Sequence, residues 1–431
     1  MQRRTAARWR TLTAAFLLAT VLPLLAGCAA LRTDFAEVER DLARGDTESA
    51  LERLEPLQGS RLNQPLYLLN RGMILRVSGD LDGSIDAFEQ AKDAIGELQA
   101  ISLSETVAGW TVTETATSYT PPVHEHLLLH VYQMLNFLER GDLDAARVEA
   151  LQIDLGLRRV DPGSGAAPDG GDALARYLSG IVFEAAGEES DAMIAYRYAY
   201  RAYQRQGKAV PRDLQQSLVR LTDALDLHDE RDEYTAAFGI TAWTPQRELR
   251  RHAQVVLLIH DGLAPRLQDE SLLVAAPNSG HLVRVALPSL HRRPSGLSGA
   301  RLSANGTQAS AEVVEWPADV MDHWLQRQMP ILIARATSRN VARYQATRQV
   351  ERESPLIAFL LNIAGAVADN ADTRSWRTLP DRVRLARLYL EPGTYELGVD
   401  IPGRTAGSRR EELRLAPGDL VVINRHLAAG G

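Results

Sequence analysis

The chain of 431 residues reads as an α+β protein: an N-terminal all-α helical-repeat solenoid followed by a β-sandwich-like domain with a helical insertion. Three observations carry that reading. Apolar residues recur with helical period from Asp34 to about Phe238, broken by glycine-acid turns. From Gln254 the pattern changes to short β-branched or apolar runs bounded by Gly, Pro or Asn. Between residues 318 and 371 the helical period returns. At 45% hydrophobic and 24% charged, the chain has apolar material for more than one core. That composition excludes a disordered chain, a collagen and a disulfide scaffold. A net charge of −7 argues against a nucleic-acid partner.

Taken in order, residues 1–10 carry Arg3, Arg4, Arg8 and Arg10 and no acid. Thr11 to Leu25 is an apolar run, too short for a comfortable membrane span, and Leu25-Ala26-Gly27-Cys28 closes it. A basic start, a short apolar stretch and a small-residue cleavage site make a secretory signal. Leu-Ala-Gly-Cys resembles the lipobox of bacterial lipoproteins, whose cysteine is acylated and becomes the mature N-terminus. The resemblance implies a signal peptide at 1–27 and a lipidated tether at 28–33, with the lipid bilayer as partner through Cys28. Ala29 stands where an inner-membrane retention signal has Asp, which implies the outer membrane, on its periplasmic face. Each buried methylene contributes about 0.8 kcal/mol, so two or three acyl chains would hold lastingly. Cys28 is also the only cysteine, so no disulfide or thiol redox pair forms within the chain.

The helical half is expected over 34–245. Arg44-Gly45-Asp46 and Ser78-Gly79-Asp80 lie 34 residues apart, and Arg140-Gly141-Asp142 and Ala186-Gly187-Glu188 repeat the signature. Gly72, Gly79, Ser84, Phe88 and Ala91 share their spacing with Gly180, Gly187, Ala192, Tyr196 and Ala199. This pattern resembles the tetratricopeptide repeat, TPR, and predicts a TPR-like solenoid. Close antiparallel helices need small residues at the contact, so Gly72 is expected against Ser84 or Ala91, and Gly180 against Ala192 or Ala199. Phe88 and Tyr196 are expected between neighbouring repeats. The turn glycines supply positive φ, and Asp46, Asp80 and Asp142 are placed to cap the next helix. A polar excursion at 100–122 and a Gly-rich one at 161–171 account for the longer intervals. A last pair, 211–227 and 230–238, is expected to cap the array.

The β-rich half is expected over 250–431. Strands are predicted at Val255–Ile259, Leu272–Ala276, His281–Leu287, Ala309–Trp316, Arg382–Leu390, Tyr395–Ile401, Glu411–Leu415 and Leu420–Asn424, arranged as a small antiparallel sandwich. Glu391-Pro392-Gly393 and Ala416-Pro417-Gly418 suit type II turns. In the insertion at 318–371, Pro330 is expected to kink or split a helix that continues towards Arg352. Pro355 to Ala368 is almost wholly apolar and too short to span a bilayer. It reads as a buried helix, or as one that touches membrane or a partner.

Tyr119 to Pro122 with Glu125 and His130, Arg140-Gly141-Asp142 leading to Ala146 and Glu149, and Leu257 to Pro265 form a further set. With Val285 to Pro288, Asp372-Thr373-Arg374-Ser375-Trp376, Leu379-Pro380, Leu390 to Tyr395 and the lipobox, they resemble a family of bacterial TPR lipoproteins. The resemblance covers most of the mature chain. Its association with lipoprotein activators of cell-wall synthases implies an envelope role without an assigned activity.

Chemistry is sparse. His126 and His130, four apart on a helix, are the weak candidates for a metal, although Leu128 breaks the zincin pattern. The plainer reading is a pair of surface or groove histidines. Neither a nucleophile elbow nor a phosphate loop is present, and no cofactor is expected. Arg374 and Trp376 form either a recognition surface or a plug for the sandwich, with Arg374 paired to Asp372 or Asp369. Arg292-Arg293 is a solvated loop or a contact with anionic lipid. These observations predict a non-enzymatic scaffold with a protein or peptide in the TPR groove. Asn70, Arg76, Gln133, Asn136, Arg176 and Tyr177 are its candidate contacts. The alternatives are a peptidoglycan- or carbohydrate-associated module using the β half, and a metal-dependent hydrolase built on His126 and His130.

Overall fold

A computed structural model describes residues 35–102, 118–161, 167, 170–275, 282–353, 370–403 and 409–427. The lipobox, most of the polar excursion before residue 118 and the apolar stretch Pro355–Ala368 lie outside the described residues.

Five helical hairpins come first: α1 (Phe35–Ala43) with α2 (Thr47–Leu54), α3 (Gln64–Ser78) with α4 (Leu81–Ser102), and α5 (Val123–Glu139) with α6 (Leu143–Val160). α7 (Ala173–Ala185) with α8 (Glu189–Arg205) and α9 (Arg212–Ala224) with α10 (His228–Phe238) complete the array. All five turn in one way. One or two residues past the end of each first helix a residue adopts positive φ, and two amide hydrogen bonds close the loop, as Gly187 N to Glu184 O at 3.1 Å and Glu188 N to Phe183 O at 2.8 Å. Glycine fills that position four times, at Gly45, Gly79, Gly141 and Gly187. In the fifth it is Asp226, at φ 57°, so the last turn carries no glycine signature. Side chains of Asp46, Asp80 and Asp142 then accept from the amides of Ser49, Gly83 and Ala145 at 2.9–3.1 Å.

Glycine inside two hairpins answers first to an aromatic ring. A Cβ on Gly72 would stand 2.5 Å from the Phe88 ring, and one on Gly180 would strike Tyr196. Each ring therefore packs against the partner helix of its own hairpin. Ser84 adds a hydrogen bond to the Gly72 carbonyl at 2.8 Å.

After a short helix α11 (Gln246–Leu249), ten strands follow: β1 (Ala253–Asp261), β2 (Arg266–Ala275), β3 (Leu282–His291), β4 (Arg301–Ala304), β5 (Thr307–Ser310), β6 (Glu312–Glu315), β7 (Arg382–Leu390), β8 (Gly393–Asp400), β9 (Arg409–Leu415) and β10 (Leu420–Leu427). Two four-stranded sheets, ordered β10-β1-β7-β6 and β5-β4-β8-β9, face each other, while β2 and β3 form a separate ribbon. Helix α12 (Pro317–Glu353) runs unbroken through Pro330 and packs Met321 and Leu325 on Leu267 of the ribbon. No helix among the described residues is long and apolar enough to cross a membrane.

Three expectations are corrected. The sandwich is not purely antiparallel, since β1 and β10 run parallel, from Gln254 against Leu420 to Asp261 against Leu427. The stretch Ala309–Trp316 is two strands in different sheets, because the chain crosses between layers at Ala311. Gly418 has the φ of +80° that a type II turn requires, whereas Gly393 has no positive φ and starts β8.

Strand β1 is buried along its whole length, and period 2 explains how. Val255, Leu257 and Ile259 face the second sheet, with Leu388 of β7 and Ile423 of β10, against Leu302, Leu397 and Val399. Val256 and Leu258 face the other way with Val383 and Leu385 and join one continuous core with the helices. The molecule is thus three layers deep: helices, first sheet, second sheet. The change near residue 250 is a boundary of secondary structure and not of packing.

Candidate functional site

The first helices of the hairpins present one face, and the chain's own first sheet lies on it. All six residues expected to line a partner groove are buried, at 0–4% exposure. Three of them bind helices to one another. Gln133 donates to Glu89 at 2.7 Å, Asn136 donates to Ser84 Oγ at 2.9 Å, and Arg176 pairs with Asp154. Of the other three, Asn70 bonds into the second half of the chain, while Tyr177 and Arg76 also tie helix to helix. Asn70 Oδ1 accepts from the Thr378 amide at 3.2 Å, and Tyr177 donates to Asp213 at 2.7 Å. Arg76 pairs with Asn136 and Glu139.

The sheet meets this face with polar side chains at alternate positions, which is the signal that sequence reasoning missed. Gln254 and His260 of β1, Arg387 and Tyr389 of β7, and Asn424 and His426 of β10 all point at the helices. Asn424 donates to Glu139 at 2.8 Å and accepts from His260 Nε2 at 2.9 Å. Tyr132 donates to His260 Nδ1 at 3.3 Å, an assignment in which the ring is neutral with its proton on Nε2. Burial, reinforced by Arg76, lowers that imidazole to about 3. His426 stacks on it at 4.3 Å, and burial holds that imidazole well below its ordinary value too.

A second knot surrounds Glu184 on α7. It accepts from Arg220 of α9 at 2.6 Å, from Tyr196 of α8 at 2.7 Å and from Arg387 of β7 at 3.1 Å. Burial works to raise this carboxyl, but the two guanidinium groups outweigh it and hold it at about 2. A third knot sits on α1. Glu39 accepts from Arg266 and Arg377 at 2.6 Å each and from Arg293 at 2.7 Å, so Arg293 is a tie between the halves. Its neighbour Arg292 pairs with Asp319 and Asp322 of α12.

Trp376 is 0% exposed, so it plugs the helical core and neither the sandwich nor a recognition surface. Its ring meets Phe88 and Tyr132 edge-on at 5.8 Å each, and its amide donates to Glu125 at 2.9 Å. Glu125 also accepts from Tyr119, and burial pushes its carboxyl up to about 7. Arg374 pairs with Asp372 at 2.6 Å and donates to Asn63 at 3.0 Å.

The two histidines on α5 stand 5.2 Å apart, but His130 Nδ1 is engaged by Glu149 at 2.7 Å, and Lys92 binds the same carboxylate at 2.8 Å. No group of three potential ligands among the described residues is placed to hold a metal ion.

Among the described residues, two features open to solvent stand out. On α6, Val148, Leu151 and Leu155 are 51%, 44% and 46% exposed and fall in one stripe, with Ile194 of α8 also exposed. Where the fifth hairpin leaves the sheet there is a cavity of about 1060 Å³, with Arg220, Arg387 and Tyr389 among its lining and Trp243 and Gln308 in its walls.

Among solved structures, the chain is similar to MamA 41-end from Desulfovibrio magneticus RS-1, at 16% identity and TM-score 0.30, over 46% of this chain and 88% of that one. It is also similar to BtubC (BKLC) from P. vanneervenii, at 17% identity and TM-score 0.33, over 57% and 94%. A third likeness is to PilW, a widely conserved type IV pilus biogenesis factor, at 14% identity and TM-score 0.23, over 48% and 93%. No known family and no curated protein matches the sequence.

Proposed function

We propose that this chain is a lipid-anchored scaffold of the cell envelope. Acylated Cys28 holds it to the outer membrane on the periplasmic side, and a protein partner docks on the outer face of the helical array, not in a groove. The contrast between the two faces carries the reading. The first-helix face is closed by the chain's own sheet, while Val148, Leu151 and Leu155 stand in a row on a second helix. Adjacent exposed apolar side chains of that size mark interaction surfaces. The anchor is supported by residues 1–28, with their basic start, apolar run and terminal cysteine. Six residues separate Cys28 from Phe35, about 24 Å at full extension, so the first hairpin is tethered close to the bilayer.

Metabolic labelling with palmitate tests the anchor. The chain takes up label, and Cys28→Ala loses it and moves from the membrane to the soluble periplasmic fraction. A photo-crosslinker at Ile194 tests the docking face. It captures a protein in cells, and Leu151→Asp with Leu155→Asp abolishes that capture. An unlabelled chain overturns the anchor, and capture that survives the double substitution overturns the docking face.

A further inference from the structure

The cavity beside the fifth hairpin lies apart from the outer stripe, and its floor is built to a definite chemistry. Arg220 engages Gln246 through Nε at 2.6 Å, and Glu184, Ser217 and Tyr389 through Nη2. Its Nη1 has no partner among the described residues and is not sealed from solvent. Asp213 takes Tyr177 and Arg387 on Oδ2 alone, at 2.7 and 3.3 Å, and its Oδ1 is likewise unpaired and accessible. An unused donor and an unused acceptor therefore share one cavity. They stand two turns apart on α9, about 10 Å along its axis. Above them, the amides of Gln216 and Gln308 each offer both a donor and an acceptor. Trp243 closes one wall with its indole N–H turned to Asp223 at 3.3 Å, which leaves the ring as an apolar surface.

We propose that this cavity binds a neutral oligosaccharide. Charge decides the class. Arg212, Arg220 and Arg387 around the cavity are offset by Asp213, Glu312 and the Glu184 carboxylate behind the floor. A phosphate or carboxylate ligand meets Asp213, and an ammonium meets the guanidinium groups. Separate hydroxyls of one sugar chain can accept from Arg220 and donate to Asp213, whose free atoms lie too far apart for one small group to bridge. The volume stands at the upper end for small-molecule sites, with room for more than one sugar ring. A peptide added to the sheet edge is disfavoured, because β5 offers only four residues for pairing.

The proposal is independent of the scaffold reading, since no residue of the cavity belongs to the α6 stripe or the anchor. Chitotetraose, cellotetraose and maltotetraose are titrated by calorimetry into the full-length chain, held in a detergent without a sugar headgroup. At least one binds saturably. Gln308→Trp, on an exposed strand outside the ion-pair knot, weakens it at least tenfold with an unchanged melting curve. Asp213→Asn weakens it as well. The absence of binding by all three at millimolar concentration overturns the proposal, as does binding that Gln308→Trp leaves intact. Displacement of the sugar by inorganic phosphate, or saturable binding of a polar pentapeptide in its place, also overturns it.

Discussion

Replacing Arg387 by methionine tests whether the two halves form one body. Arg387 is fully buried on β7, and its guanidinium bonds to Glu184, Asp213, Tyr196 and Gln254. Methionine fills much of the volume and removes the charge, so Glu184 keeps only Arg220 as an ionic partner. Removing one member of a buried pair costs about 3–5 kcal/mol. The protonation balance sets the scale for Arg220 and Arg387 together, so Arg387 accounts for part of it. Glu184 is held at about 2 against an ordinary 4.5, and a shift of that size corresponds to about 3 kcal/mol. A depressed carboxyl contributes stability above its unfolded pKa and loses it as pH falls through the folded one. The deficit of Arg387→Met is therefore full at pH 7 and narrows as pH drops from about 4.5 towards 2. Urea unfolding followed by tryptophan fluorescence and far-ultraviolet circular dichroism reads both effects. A loss under about 1 kcal/mol at pH 7, or helix and fluorescence transitions that separate in the wild-type chain, refutes the reasoning.

Trp376→Ala empties a site between Phe88 and Tyr132 and lowers stability by about 3–5 kcal/mol in the same unfolding assay; a cost under 1 kcal/mol contradicts the buried placement. Glu125 titrates at about 7 in the fold against 4.5 unfolded, so its contribution is full below 4.5 and is lost as pH rises through 7. Relative to Glu125→Gln, the wild type loses about 3 kcal/mol between pH 4.5 and pH 8, and parallel profiles would rule out a neutral buried carboxyl. Gly180→Ala strikes the Tyr196 ring and costs about 1–3 kcal/mol. Gly96→Ala on α4 meets nothing within 4 Å and gains up to about 1 kcal/mol, so equal melting points for the two would contradict the packing of the fourth hairpin.

The hairpins were legible because their turns are local. A glycine at positive φ followed by an acidic residue leaves a fixed mark in the sequence, and only Asp226 hides it. The strands were nearly as plain, from Arg382–Leu390 to the Pro-Gly turn before Leu420. What covers the first-helix face was not legible, because Asn70 or Tyr177 looks the same facing solvent as facing a sheet. The clue lay in the strands: Gln254 and His260 bracket an apolar run at even positions, where a half-buried strand shows water-facing residues. Here those positions face polar helices, so alternation identified the faces without identifying what lay beyond them. The cavity at Arg220 and Asp213 is assembled from α9, the segment before α11, β5 and β7, and no local pattern joins these.

The pairing of β1 with β10 has a bearing on how the chain comes to be made. His260 meets Asn424 across 164 residues of sequence, so the central sheet waits for a strand that leaves the ribosome long after the hairpins do. Until then Arg76, Glu139 and Glu184 have water where Asn424 and Arg387 will later sit. Contacts this remote slow the final closure. The delay leaves the sheet-facing side of the helices hydrated until the last strand arrives, while most of the helices can already form.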